Sequence, residues 1–292
     1  MKTSTSINLT ISVIIVNYNS RLLLEKCLHS VENAAKDILH EIIVVDNQSS
    51  DGSCDYLSYL FPHIKIIFND KNLGFAKACN QGLKIAAGSN VLFLNPDTLL
   101  KENSISDCLS FLEKNSDAGA VGVRMLDNAG NFLKESKRGM PTPAASFYKL
   151  FGLSSLFPRS AIFAKYYMGH LAEEENNSVE VLSGAFMMIK KEVLEKTGGF
   201  DESFFMYGED IDLSIRISNA GYKNYYLGTT SIIHKKGGST HYDYNHLQHF
   251  YGAMVLFVKK YYTGSRLSFI RRLLLAGIWL RKFIAIVVLP FR

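Results

Sequence analysis

None of the four cysteines in this 292-residue chain forms a Cys-x-x-Cys pair. Cys27, Cys54, Cys79 and Cys108 are scattered, which argues against a zinc knuckle or a disulfide framework and suits a reducing cytosol. No Gly-x-Gly-x-x-Gly follows the first apolar run and no P-loop is present, so a dinucleotide fingerprint and a Walker-type phosphate cradle are excluded. No apolar run reaches the ~20 residues that a bilayer-spanning helix needs. Met1 to Thr10 is polar and lacks the apolar centre of a signal peptide, so a protein that is not secreted is expected.

Acidic residues stop at Asp243. Beyond it lie eight cations (Lys259, Lys260, Arg266, Arg271, Arg272, Arg281, Lys282 and Arg292), and the remaining 24 basic residues face 27 acidic ones. The body is therefore mildly acidic and the tail carries the positive excess. The tail is also strongly apolar, with Leu273 to Leu280 and Phe283 to Leu289 broken by Arg281-Lys282 and with Trp279 as the only tryptophan. That combination points to an anionic membrane surface rather than to nucleic acid. The plain alternative is a helix packed on its own domain or on a partner subunit.

With 47% hydrophobic residues, the chain can bury a substantial core as one large domain or two small ones. Short β-branched runs at Ile11–Val16, Glu41–Val45, Lys65–Phe68 and Val91–Leu94 predict buried strands. Helical spacing fills the intervals at Arg21–Asn33, Cys54–Leu60 and from Asn72 to about Ala87. Strand–helix alternation of this kind predicts an α/β fold with a mostly parallel sheet. Further on, a helix over Lys101–Lys114 and a strand over Ala118–Met125 are expected. Asp127 to Ala172 holds three of the six prolines and reads as a long loop region of the kind that is functional or disordered. A strand over Val179–Ile189, helices over Lys191–Thr197 and Glu209–Ala220, and a strand over Lys223–Leu227 follow. A polar loop, Ser231 to Tyr242, and a helix from Asn245 to Tyr262 complete the body.

Two acidic spots stand out. Asn95-Pro96-Asp97 follows a buried strand, where open α/β sheets bind ligands. Gly208-Glu209-Asp210-Ile211-Asp212 opens a helix, where carboxylates are also favoured by the helix dipole alone. One carboxylate could hold a metal while the other takes a proton.

The chain resembles family 2 glycosyltransferases of the GT-A fold from about Ser12 to Gly238. The resemblance rests on Val16-Asn17-Tyr18-Asn19, on Val44-Val45-Asp46-Asn47 with Ser49, Asp51 and Gly52, and on Asn72-Leu73-Gly74-Phe75-Ala76 with Asn80 and Gly82. Asn95-Pro96-Asp97, Gly198-Gly199-Phe200-Asp201-Glu202 and Glu209-Asp210 with Asp212, Leu213 and Arg216 complete it. The branch it most resembles is the bacterial rhamnosyltransferase-like group, which builds O-antigens and other surface polysaccharides. The resemblance implies a nucleotide-diphosphate sugar donor (dTDP or UDP), a divalent cation (Mg²⁺ or Mn²⁺), and inversion at the anomeric carbon.

Carried over residue by residue, Asp97 matches the last carboxylate of the Asp-x-Asp metal motif, with Asn95 in place of the first. One carboxylate can suffice for a hard cation whose shell is filled by phosphates and water. His234 resembles the late histidine that completes the metal or diphosphate site. His241, His246 and His249 lack zinc-site spacing. Asp46 would bind the base or ribose, Asn17 and Asn19 would line the same pocket, and Asn72 with Lys71 would approach the diphosphate. Asp210 matches the general base, with Glu209 as runner-up, and Asp201 would order its loop or meet the acceptor. Lys137-Arg138 could touch phosphates, although basic loop residues are usually exposed.

The expected organisation is a glycosyltransferase domain over 1–242 and a helical, basic, apolar tail over 243–292. The expected setting is cytoplasmic, peripheral to the inner face of the cell membrane, with a lipid-linked glycan as acceptor and oligomerisation open. Two rivals stand beside this reading: a sugar nucleotidyltransferase, whose glycine-rich phosphate loop is missing, and an inactive scaffold of the same fold.

Overall fold

The computed structural model describes residues 10–150, 152–235 and 243–289. The expectations for the first nine residues, for His241 and for a boundary at 242 lie outside the described residues.

The first half follows the predicted alternation: β1 (Ile11–Asn17), α1 (Arg21–Ala34), β2 (His40–Asp46), α2 (Ser53–Leu60), β3 (Lys65–Phe68), α3 (Phe75–Ile85) and β4 (Asn90–Leu94). β5 (Thr98–Leu99), α4 (Ser104–Lys114) and β6 (Ala118–Leu126) follow. Next come β7 (Lys137–Arg138), α5 (Pro143–Leu150), α6 (Leu153–Leu156), β8 (Asn177–Val179), β9 (Val181–Leu182), β10 (Phe186–Lys190) and α7 (Lys191–Thr197). The chain ends in α8 (Glu209–Asn219), β11 (Lys223–His234), α9 (Tyr244–Tyr261) and α10 (Ser268–Val288).

The main sheet runs β3-β2-β1-β4-β10-β6-β11, with β5 and β8 both paired to β11. β3, β2, β1 and β4 are parallel, β10 is antiparallel to its neighbours, and β11 is parallel to β6. Both faces of the sheet are covered, and this explains why β1 is apolar throughout rather than alternating. Ile11, Val13 and Ile15 pack with the α1 and α4 layer, and Ile14 and Val16 with the α3 and α8 layer. Ser12 is the exception in that run. Its hydroxyl donates to Glu41 at 2.5 Å, so the buried polar group is satisfied. The chain steps outward from β1 to β2 and β3, then crosses back to β4. That reversal opens a crevice at the carboxyl ends of β1 and β4.

Four expectations need correction. The strand predicted over Val179–Ile189 is three short strands, interrupted at Glu180 and at Ser183–Ala185. The break lets β9 leave the main sheet and pair with β7. His234 is not in a loop but is the last residue of β11, paired with Thr98 of β5. Lys137-Arg138 is not an exposed basic pair. Lys137 is 1% exposed, its ammonium donating to the carbonyl of Met168 at 3.1 Å and to that of Leu171 at 2.5 Å. The region read as a long loop, Asp127 to Ala172, contains helices α5 and α6. The tail is one continuous 21-residue helix. Among the described residues no helix is long and apolar enough to cross a membrane.

α9 joins the body directly. Its Ala253 and Phe257 share a small core with Phe204 and Ile215. α10 lies against α9, and the Lys282 ammonium donates to Gln248.

Candidate active site

The crevice at the carboxyl ends of β1 and β4 is a cleft of about 310 Å³. Tyr18, Asn47, Asn72, Gly74 and Phe75 line one part of it, and Asn95, Pro96 and His234 another. Glu135, Arg138, Gly184, Tyr207, Glu209 and Asp210 complete the wall. Asn95 and Pro96 of the first acidic spot and Glu209 and Asp210 of the second therefore border one cleft, while Asp97 itself is buried and is not part of the lining.

Strand pairing makes the first constellation. Because β5 pairs with β11, His234 Nε2 comes within 3.3 Å of Asp97 Oδ1. The amide of Lys235 donates to the Asp97 carbonyl at 2.9 Å and fixes the backbone there. Asn95 is held the same way: its amide donates to Ala185 at 3.0 Å, and its carbonyl accepts from the Thr98 hydroxyl at 2.7 Å.

The second constellation is built by α8. Tyr207 and Gly208 both have left-handed backbone, at φ 69° and 83°. That conformation is costly for tyrosine and is held by its surroundings, including a 3.1 Å contact from Tyr207 hydroxyl to His246 Nδ1. The sharp turn delivers Glu209 and Asp210 into the cleft wall. Asp210 Oδ2 meets Arg138 Nη2 at 2.5 Å and accepts from the Gly184 amide at 3.1 Å. Its Oδ1 accepts from the Ile211 amide at 2.8 Å. Glu209 is buried, and its Oε2 has no hydrogen-bond partner among the described residues. Burial, then the charge of Asp210, push its carboxyl up to about 8, with the Arg138 cation only partly offsetting them. Both effects favour the protonated form of Glu209.

Other predicted residues sit behind the cleft wall rather than on it. Asn17 is fully buried and donates to Asp46 at 2.8 Å and to Ser53 at 2.8 Å. Asp46 is also buried and accepts from the Ser49 amide and hydroxyl at 2.8 and 2.6 Å. Asn19 accepts from the Ser50 amide at 2.7 Å. Asn47, the neighbour of Asp46, reaches the cleft instead, and its side chain donates to the Gly74 carbonyl at 3.2 Å. Asn72 accepts from the Gly74 amide at 3.0 Å. Gly74, at φ +85°, is required twice over: an added Cβ would lie 2.4 Å from the Phe205 carbonyl oxygen.

The Gly198–Glu202 stretch is held from both sides. Asn80 exchanges bonds with the Phe200 amide and carbonyl at 2.9 and 2.8 Å. Arg216 donates to the carbonyls of Thr197 and Gly199 at 2.6 and 2.7 Å. Asp201 does not line the cleft. It pairs with Lys260 of α9 at 2.5 Å and caps the Ser203 amide at 2.9 Å. Burial works against its charge, and Lys260 with the Ser203 bonds overcomes this and holds the carboxyl down at about 2. Lys260 and Tyr207 escaped the sequence reading of the site, and Arg138 was read there as a possible phosphate contact rather than as the partner of Asp210. Each acts through a partner remote in the chain, so no local pattern marked it.

An open α/β sheet whose strand ends gather an Asn-x-Asp turn, a late histidine and a Glu-Asp pair in one cleft defines a GT-A glycosyltransferase. The chain belongs to glycosyl transferase family 2, whose family model matches residues 12–198. A second model, described as the N-terminal domain of galactosyltransferase, matches 171–250 and so takes in α8 and β11. The chain is similar to N-acetylglucosaminyl-diphospho-decaprenol L-rhamnosyltransferase of Mycobacterium tuberculosis, at 26% identity over 86% of this chain and 85% of that protein. It is also similar to rhamnosyltransferase WbbL of Escherichia coli, at 26% identity over 76% of this chain and 82% of that one. In fold it is similar to the mannosyltransferase PcManGT of Pyrobaculum calidifontis, solved in complex with GDP-Man and Mn²⁺. That likeness has a TM-score of 0.57 at 19% identity, over 94% of this chain and 70% of the other. The protein is a glycosyltransferase.

Proposed function

We propose that this enzyme transfers rhamnose, with inversion, from a dTDP- or UDP-linked donor to a lipid-linked glycan during synthesis of a bacterial surface polysaccharide. The sugar and the acceptor are inferred from the names of its two rhamnosyltransferase relatives. The observation that carries the chemistry is a single cleft bordered by His234, which meets the buried Asp97, and by the Arg138–Asp210 pair.

Asp97 and His234 fit a divalent cation as one oxygen and one nitrogen ligand. No group of three or more ligating side chains forms among the described residues, which leaves the other positions to water and the donor diphosphate. A mixed oxygen and nitrogen set favours Mn²⁺ over Mg²⁺. When bound, the cation would offset the negative charge that grows on the leaving diphosphate.

Asp210 accepts the proton of the acceptor hydroxyl. That oxygen bonds to the anomeric carbon from the side opposite the diphosphate, the carbon–oxygen bond to the diphosphate breaks, and the nucleoside diphosphate leaves. One displacement inverts the centre. Glu209, whose burial beside Asp210 favours its protonated form, is the weaker candidate for this role. Asn47, Asn72 and Tyr18 line the nucleotide part of the cleft, and the buried Asn17–Asp46 pair shapes its wall.

The tail supports attachment to the cytoplasmic face of the cell membrane. Phe269, Leu273, Trp279, Leu280, Phe283 and Val287 of α10 are all exposed, and Arg271, Arg272, Arg281 and Lys282 lie among them. Such a helix suits the interface of an anionic bilayer.

The test is release of nucleoside diphosphate from a panel of nucleotide sugars, with and without Mn²⁺, for the parent protein and Asp210→Asn. Metal-dependent release from a dTDP- or UDP-sugar that the variant loses supports the reading. Release that persists unchanged in Asp210→Asn overturns the assignment of the base.

A further inference from the structure

We propose that Arg138 is a positioning residue for the transfer step, holding the Asp210 carboxylate in one orientation and leaving Oδ1 to receive the acceptor proton. This rests on Asp210 being the base. Arg138 belongs to the region that reads in sequence as a loop, 72 residues before its partner. Its backbone is fixed because β7 and β9 form a two-stranded ladder in which Arg138 pairs with Val181.

From that ladder the guanidinium reaches across to α8. Nη2 donates both to Asp210 Oδ2 at 2.5 Å and to the Leu182 carbonyl at 2.7 Å. The Tyr166 side chain also hydrogen-bonds the guanidinium. Arg138 is therefore gripped at its backbone and at its head group, and it is nearly buried. The Gly184 amide, from the segment that joins β9 to β10, adds a second donor to the same carboxylate oxygen at 3.1 Å. Among the described residues, the donors that reach Asp210 from outside its own helix converge on Oδ2, and Oδ1 is bonded to the adjacent Ile211 amide at 2.8 Å.

The arrangement has a clear consequence for catalysis. A general base must present one lone pair at hydrogen-bond reach of the hydroxyl, and a small rotation of the carboxylate removes it. The planar, multi-donor guanidinium can hold the carboxylate and a carbonyl together, whereas a lysine ammonium keeps the charge but not that geometry. Arg138 acts through Asp210 and binds neither sugar in this account.

The experiment compares Arg138→Lys, Arg138→Ala and Asp210→Asn in steady-state transfer and in donor binding by calorimetry. Arg138→Lys retains a cation beside Asp210 and is the variant chosen to stay folded, with circular dichroism as the check. The expected result for it is a fall in kcat of ~10- to 100-fold, with donor Kd and acceptor KM changed less than about twofold. Guanidinium chloride at low millimolar concentration should restore part of the kcat of Arg138→Ala, which a merely structural role would not allow. A kcat kept within about twofold in Arg138→Lys, or a loss confined to KM, would overturn the proposal. If Asp210→Asn itself retains transfer, the reading of the base has failed instead, and the two failures are distinguishable.

Discussion

The protonated state of Glu209 can be tested through stability, independently of any substrate. The carboxyl is buried, sits beside Asp210, and has one oxygen without a partner among the described residues. Its folded-state value of about 8 lies above the ordinary 4.5. Between those two values the folded protein holds a proton that the unfolded chain has released. The fold therefore binds more protons than the unfolded state, and stability must fall as pH rises through this window. At about 1.4 kcal/mol per pH unit, the loss attributable to Glu209 is of order 5 kcal/mol, fully developed above pH ~8. Glu209→Gln removes the titration while keeping the shape. Urea unfolding of both proteins from pH 5 to pH 9 reads Glu209 together with its effect on the adjacent Asp210, while titrations remote from the pair cancel in the difference. The two should lie within about 1 kcal/mol at pH 5, with the variant more stable by ~5 kcal/mol at pH 9. Parallel curves across the range would refute the reasoning and return Glu209 to contention as the base.

Asp97→Ala should abolish the Mn²⁺-dependent part of donor binding in calorimetry, with circular dichroism to check the fold because Asp97 is buried against His234. Gly74→Ala places a methyl 2.4 Å from the Phe205 carbonyl at a left-handed φ, and should cost ~2–4 kcal/mol in chemical unfolding. Lys260→Met breaks the bridge to both Asp201 and Asp212 and should lower stability by ~1–3 kcal/mol, with thermal unfolding as the readout. Trp279→Ser combined with Phe283→Ser changes two exposed positions of α10. It should reduce sedimentation with anionic liposomes at least ~10-fold, since burying each side chain in lipid is worth roughly 2 kcal/mol.

Much of this site was legible because its residues stand at strand ends. An apolar run covered on both faces announces its own limits, and the polar residue after it falls at the sheet edge where ligands bind. Asn95 and Asp97 were found that way, and the Glu209-Asp210 pair as carboxylates that open a helix. The remainder depends on pairings that no local period records. His234 reads as loop because the residues after it are polar, yet pairing with Thr98 extends the strand to it and brings it to Asp97. Arg138 reads as an exposed loop cation because a two-residue strand leaves no alternation to detect. Asp46 and Asn17 were placed in the pocket on the strength of position, but their side chains are spent on each other and on Ser49 and Ser53. A strand-end carboxylate can brace a loop as readily as it can meet a ligand.

Helical geometry also explains why one short acidic motif serves three purposes. Successive residues of a helix differ by about 100° in direction, so Asp210 and Asp212 point about 200° apart. Asp210 therefore faces the cleft and Arg138. Asp212, fully buried, faces α9, where it meets Lys260 and the Tyr261 hydroxyl at 2.5 Å each while Arg216 holds its other oxygen at 2.8 Å. Glu209 falls between them, where neither cation reaches it closely enough to keep it ionised. Asp212 anchors the helix that carries the base to the helix on which α10 lies. Lys260 extends the same anchor to Asp201 in the glycine-rich loop. The acidic motif thus joins the reacting end of the cleft to the C-terminal helices through side chains alone, and α9 is part of the machinery that holds Asp210 in place.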